Sequence, residues 1–82
     1  MFRILTENKN VDRVKKALIR LGLDFTVYYS EGAWHGLQEG SMAIDLDNIS
    51  RNYAWVAALM IKKMNGQQAV LLQEIPARSD LI

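Results

Sequence analysis

The residues of this chain best suited to chemistry sit in one stretch, 30–41, which reads Ser-Glu-Gly-Ala-Trp-His-Gly-Leu-Gln-Glu-Gly-Ser. Trp34 and His35 lie between Gly32 and Gly36. An indole can stack on a base or another flat ring, and an imidazole can donate to a phosphate or a hydroxyl. Flanking glycines let the backbone approach a ligand closely. Glu39 can hold ribose hydroxyls or a basic group, and Ser41 a phosphate oxygen. The same residues also admit a structural reading. Trp34 then folds over the core as a lid, the glycines make turns, Glu39 is a solvated charge and Ser41 a turn hydroxyl. Read as an acid–base pair, His35 and Glu39 would make a small enzyme. No nucleophile or second carboxylate accompanies them, so no catalytic residue is expected. The chain has a single histidine and no cysteine, which cannot make a classical zinc site. Asp45 and Asp47 lack a ligand loop for a hard cation, so neither a metal nor a cofactor is expected.

The elements on either side must position this stretch. Phe25–Tyr29 reads as a strand leading in, and Met42–Leu46 as a strand leading out, so 30–41 is the turn of a hairpin. Met42, Ile44 and Leu46 share one face of the second strand, and Ala43 and Asp45 the other. Upstream, Phe2–Thr6 reads as a strand apolar on both faces, hence central. Asn10 is a candidate side-chain cap for a helix in which Val11, Val14, Ala17, Leu18 and Leu21 form one apolar stripe. Gly22 ends that helix in a left-handed position. Downstream, Asp47–Ser50 leads into a second helix with Tyr53, Val56, Ala57, Met60, Ile61 and Met64 as its core stripe. Trp55, Ala58 and Leu59 make a second apolar ridge on that helix, more than one buried face requires. Asn65-Gly66 stops it, and Ala69–Ile75 is the last strand.

Strand, helix, strand, strand, helix, strand is the order of an α+β ferredoxin-like βαββαβ plait, with a four-stranded antiparallel sheet and both helices on one face. The domain is expected over 1–76, with 77–82 a C-terminal tail. In that topology three loops meet at one end: Thr6–Asn10, the hairpin tip and Asn65–Gln68. The N-terminus of the first helix points there, and free backbone amides at a helix N-terminus favour an anion. Asn8, Lys9, Arg13 and Gln67 therefore join Trp34, His35, Glu39 and Ser41 as candidate ligand-binding residues. The sheet face without helices is expected to be covered by a second copy. Trp55, Leu59 and the terminal Leu81 and Ile82 are the candidate interface residues.

Composition bounds the partners. Eighty-two residues make one domain, half of them hydrophobic, with one proline and no cysteine to staple a modest core. The net charge of +1 is too small to argue for nucleic acid. The expected central strands offer Phe2 as their one aromatic, whereas a plait that reads RNA shows several there, and Asp45 and Asp47 oppose it further. The longest apolar run is too short to span a bilayer. Met1-Phe2-Arg3-Ile4-Leu5 lacks the pattern of a signal peptide, which points to the cytoplasm.

The run Gly32-Ala33-Trp34-His35-Gly36-Leu37-Gln38-Glu39-Gly40-Ser41 resembles the hairpin of a group of small phage and bacterial ferredoxin-like proteins, which reads roughly G-x-W-x-G-x-x-E-x-S. Those proteins follow their second helix with N-Q-E-A-V, and this chain has Asn65-Gly66-Gln67-Gln68-Ala69-Val70, with Gly66 inserted. Small phage proteins of comparable size include sponges that bind nucleotide-derived immune signals without cleaving them, an analogy of size and site only. What the resemblance and the analogy imply is a non-enzymatic homo-oligomer that sequesters a small anionic nucleotide-like ligand as phage counter-defence, in the host cytoplasm. A protein–protein interaction module, or an inhibitor of a host protein working through the Trp55/Leu59 ridge, is the second expectation. An enzyme using His35 and Glu39 is the third.

Overall fold

A computed structural model describes residues 1–29 and 40–76. The elements run β1 (Phe2–Glu7), α1 (Val11–Arg20), β2 (Asp24–Tyr29), β3 (Ser41–Asp47), α2 (Arg51–Met64) and β4 (Leu71–Glu74). The strands form one sheet in the order β2-β3-β1-β4, with every neighbour antiparallel. This is the expected ferredoxin-like βαββαβ plait, and β1 and β3 occupy its centre.

Register explains which residues become core. Phe2 lies opposite Leu46, Ile4 opposite Ile44 and Thr6 opposite Met42, so all six share one sheet face. Val14 and Leu18 of α1 and Ala54, Ala57, Ala58 and Ile61 of α2 close over that face in one buried cluster. Both helices therefore cover the same side. The other face carries two cross-strand rows. Leu71, Leu5, Ala43 and Tyr28 form an apolar row, and Gln73, Arg3, Asp45 and Thr26 a polar one. In the polar row the Arg3 Nε and Nη2 groups donate to the two Asp45 carboxylate oxygens at 2.6 and 2.9 Å. That hydrogen bond raises the Arg3 pKa above its ordinary value. The open face is thus only partly apolar, with a fork-shaped ion pair at its centre.

Three local expectations change. Asn10 does precede α1, but it sits in the left-handed region (φ 54°) and its side chain caps nothing. Its amide Nδ2 donates instead to Asn65 Oδ1 at 3.1 Å, an inter-loop bond that a capping conformation would forgo. In α2, Tyr53 and Val56 are exposed rather than core, and the Tyr53 hydroxyl donates to the Leu21 carbonyl at 3.4 Å. Ala57 and Ile61 are buried as expected, with Met60 and Met64 packed beside them, and Ala54 and Ala58 take the remaining inward positions because small side chains let the helix approach closely. Ala58 is accordingly core and not part of an exposed ridge. Finally, β4 is shorter than Ala69–Ile75, spanning Leu71–Glu74.

Helix ends follow their chemistry. Gly22 and Gly66 take φ of 71° and 61° just beyond α1 and α2, where a side chain would be strained. Ser50 caps α2 by accepting from the Tyr53 amide at 3.2 Å. Ser50→Ala is expected to cost about 1 kcal/mol of stability, read as a lower urea midpoint with an unchanged slope. A shift indistinguishable from zero would show that the cap contributes nothing.

Candidate functional site

The end of the sheet where β1 exits, β3 begins and β4 begins is tied together by polar contacts from three loops. The Asn8 amide donates to the Gly40 carbonyl at 2.7 Å, joining the β1–α1 loop to the start of β3. The Lys9 ammonium donates to the Asn65 carbonyl at 3.1 Å, placing a cation at the C-terminus of α2, where the helix dipole favours it. Asn65, 2% exposed, is the hub. Its Oδ1 accepts from Asn10, and its Nδ2 donates to Gln67 Oε1 at 3.3 Å. The buried Thr6 hydroxyl donates to the same Gln67 oxygen. Gln67 Nε2 then reaches the Ala69 carbonyl at 3.4 Å. The convergence expected from topology is therefore present, and it is built from amide side chains.

This network fixes how the candidate residues stand. Gln67 is engaged at both ends of its amide, so it braces the loops and has little left to offer a ligand. Asn8 contributes its backbone to the brace and Lys9 its ammonium. Ser41 is half-buried at the first position of β3, opposite Glu7. Arg13 is exposed in the first turn of α1. No side chain caps the amides of that turn, and Asp12 adds a carboxylate beside them. Trp34, His35 and Glu39, expected to stack, donate and hold hydroxyls, lie outside the described residues, as do Leu81 and Ile82.

Two grooves flank the helices. The first, about 450 Å3, runs between α1 and α2 on a floor of Ala17, Leu21, Met60 and Met64. Arg13, Lys16 and Arg20 line it, and none of the three forms an ion pair among the described residues. Their i, i+3, i+7 spacing puts three cations along one ridge. Lys15 turns the other way, its ammonium 5.6 Å from the centre of the Tyr29 ring. A hydrogen bond to Tyr29 raises the Lys15 pKa above its ordinary value. The second groove, about 320 Å3, lies between α2 and β4 and is lined by Trp55, Leu59, Lys62 and residues 69–72. Trp55 and Leu59, the candidate interface residues on α2, are 56% and 49% exposed.

Sequence reasoning missed Thr6, Asn10 and Asn65 as members of the three-loop brace, and it missed the Arg3–Asp45 pair. A signal for the brace was present: Asn8, Asn10, Asn65 and Gln67 put four amide side chains into two loops that the topology brings together. Among the described residues, no group of three or more His, Cys, Asp or Glu gathers that could hold a metal ion. No described helix is long and apolar enough to cross a membrane. No protein family, curated protein or solved structure significantly matches this chain.

Proposed function

We propose that this chain is a non-enzymatic binding protein that holds a small anionic, nucleotide-like ligand at the three-loop end and keeps it without transforming it. The observation that carries this reading is the braced end itself. Thr6, Asn10, Asn65 and Gln67 lock two loops together beside the start of α1, whose first-turn amides have no side-chain cap. Lys9 and Arg13 add positive charge within a few residues of those amides. A braced backbone beside nearby cations suits an anion, since less ordering cost is left to binding. Trp34 and His35, in the stretch between β2 and β3, take the roles of ring-stacking group and phosphate donor in this reading. Glu39 takes the role of holding ribose hydroxyls. Sequestration of a nucleotide-derived signal, the phage counter-defence role, is the biological form of this activity.

The test is native mass spectrometry of the protein purified from its source, followed by heat release and mass analysis of any bound small molecule. A stoichiometric phosphate-bearing mass, released unchanged, is the expected result. Trp34→Ala is expected to weaken binding of that molecule by about 1–3 kcal/mol, roughly five- to 150-fold, with the melting midpoint unchanged. Recovery of a chemically altered molecule would overturn sequestration. Unfolding of Trp34→Ala would make the indole a core residue and remove its stacking role.

A further inference from the structure

The second groove lies against β4, which has no strand on its outer side among the described residues. Ile75 donates its amide to the Met1 carbonyl at 2.8 Å. The β1–β4 register pairs Gln73 with Arg3 and Leu71 with Leu5. In an antiparallel ladder, alternate residues turn their N–H and C=O groups to the same neighbour. Leu71, Gln73 and Ile75 therefore face β1, while Leu72 and Glu74 present their backbone groups outward. Pro76, next in that alternation, has no N–H and ends the row. β4 is short, but no lysine, proline or bulge interrupts it between Leu71 and Glu74, so its two outward-facing residues remain able to pair.

Side chains follow the same alternation. Leu72 and Glu74 stand opposite Ile4 and Phe2, which puts them on the helix-covered face, where the groove lies. Trp55 and Leu59 line that groove and are about half exposed. Lys62 is its one charged lining residue. Neither Lys62 nor Glu74 has an ion-pair partner among the described residues.

We propose that a second copy of this chain fills the groove, with β4 paired antiparallel to the partner's β4 about a two-fold axis at Gln73. Residues directly opposite in an antiparallel pair must point to the same face. One register of this kind uses both outward-facing residues of β4, pairing Leu72 with the partner's Glu74 and Glu74 with the partner's Leu72. It forms a continuous eight-stranded sheet. The partner's Glu74 arrives on the helix face beside Leu72, within reach of Lys62, and the symmetry makes that ion pair twice. Trp55 and Leu59 of both copies flank the axis and are covered together. A heterologous protein would have to supply the carboxylate that the chain already carries at the required position. The contact uses a sheet edge and leaves the helix-free face of the sheet uncovered.

Light scattering coupled to size-exclusion chromatography tests this on the whole chain. The expected mass is twice 9.4 kDa. Trp55→Asp is expected to give a monomer with unchanged circular dichroism. Lys62→Glu and Glu74→Lys are each expected to raise the dimer dissociation constant about tenfold or more, because each dimer carries the contact twice. The double variant, with the charges exchanged, is expected to recover to within about threefold of wild type. A monomeric wild type, a Trp55→Asp dimer or a charge exchange that fails to restore assembly would each overturn the proposal. A wild-type monomer that captures a different protein through Trp55 would do so in favour of a heterologous partner. Trp55 and Glu74 make no contact with the three-loop brace, so in those variants loss of the dimer and loss of a bound ligand are read separately. The Lys62 carbonyl accepts from the Gln67 amide, so Lys62→Glu is also checked for ligand binding.

Discussion

Arg3→Ala is expected to destabilise the fold by about 2–3 kcal/mol, lowering the melting midpoint of this small domain by roughly 10–20 °C. Asp45 is 4% exposed, and Arg3 satisfies both of its carboxylate oxygens. Removing the guanidinium leaves a carboxylate in the middle of the sheet with no counter-ion. Breaking a fully buried pair costs about 3–5 kcal/mol. The value here is lower because a third of the Arg3 side chain remains exposed, so water reaches the site. The double variant Arg3→Met/Asp45→Leu separates the two contributions. It removes both charges and fills the space, and it is expected to recover most of the loss. Chemical denaturation of the three proteins gives the comparison. A loss below about 0.5 kcal/mol for Arg3→Ala would class the pair with ordinary surface ion pairs. The pair also shapes the surface: a fork-shaped ion pair at the centre of the open face makes that face a poorer candidate for burial against a second copy than the α2–β4 groove.

Asn65→Ala is the second large effect, expected at about 2–3 kcal/mol. The side chain is almost wholly buried and makes two hydrogen bonds, one to Asn10 across to the β1–α1 loop and one to Gln67 within its own loop. Truncation strands the Asn10 amide, takes one donor from Gln67, and leaves Thr6 to hold that oxygen alone. Each lost bond costs about 1–1.5 kcal/mol when its partner stays buried. The loss is also local. Faster hydrogen exchange is expected at the backbone amides of residues 8–11 and 65–69, with the central strands β1 and β3 unchanged. Under the proposed function, the same variant weakens ligand binding without removing any residue that touches the ligand. If exchange rises uniformly across the sheet instead, Asn65 supports the global fold and not the loop cluster.

The three-loop brace and the α2–β4 groove are adjoining features, joined where Gln67 bonds Ala69 and Lys62. The brace lies where the chain's amide-rich loops meet. The groove lies along one edge of the sheet, where Trp55 and Leu59 stay exposed because the alanines of α2 take the inward positions. The same packing choice thus builds the core and leaves aromatic surface outside it.

That choice marks the boundary of what could be read from residues alone. The order of elements, the central place of β1 and β3, the helix stops at Gly22 and Gly66, and the meeting of three loops all followed from periodicity, glycine chemistry and the handedness of crossovers. These are local properties, or few-choice topological ones, and a single chain states them directly. The inward face of α2 followed only in part. Periodicity placed Ala57 and Ile61 inward, but it grouped Tyr53 and Val56 with them and put Ala58 on an outer ridge, because spacing alone cannot rank neighbouring apolar positions. The space above Phe2, Ile4, Ile44 and Leu46 ranks them, because the smaller side chains let the helix pack closer. Asn10 was legible as the residue before α1 but not as a partner of Asn65, 55 residues away. Arg3 and Asp45, 42 residues apart, meet only because the β1–β3 register sets them opposite each other. Sequence determined which elements exist and in what order they pair. Tertiary structure decided which face of each is buried and which polar groups meet, since both depend on volumes and registers that no short segment contains.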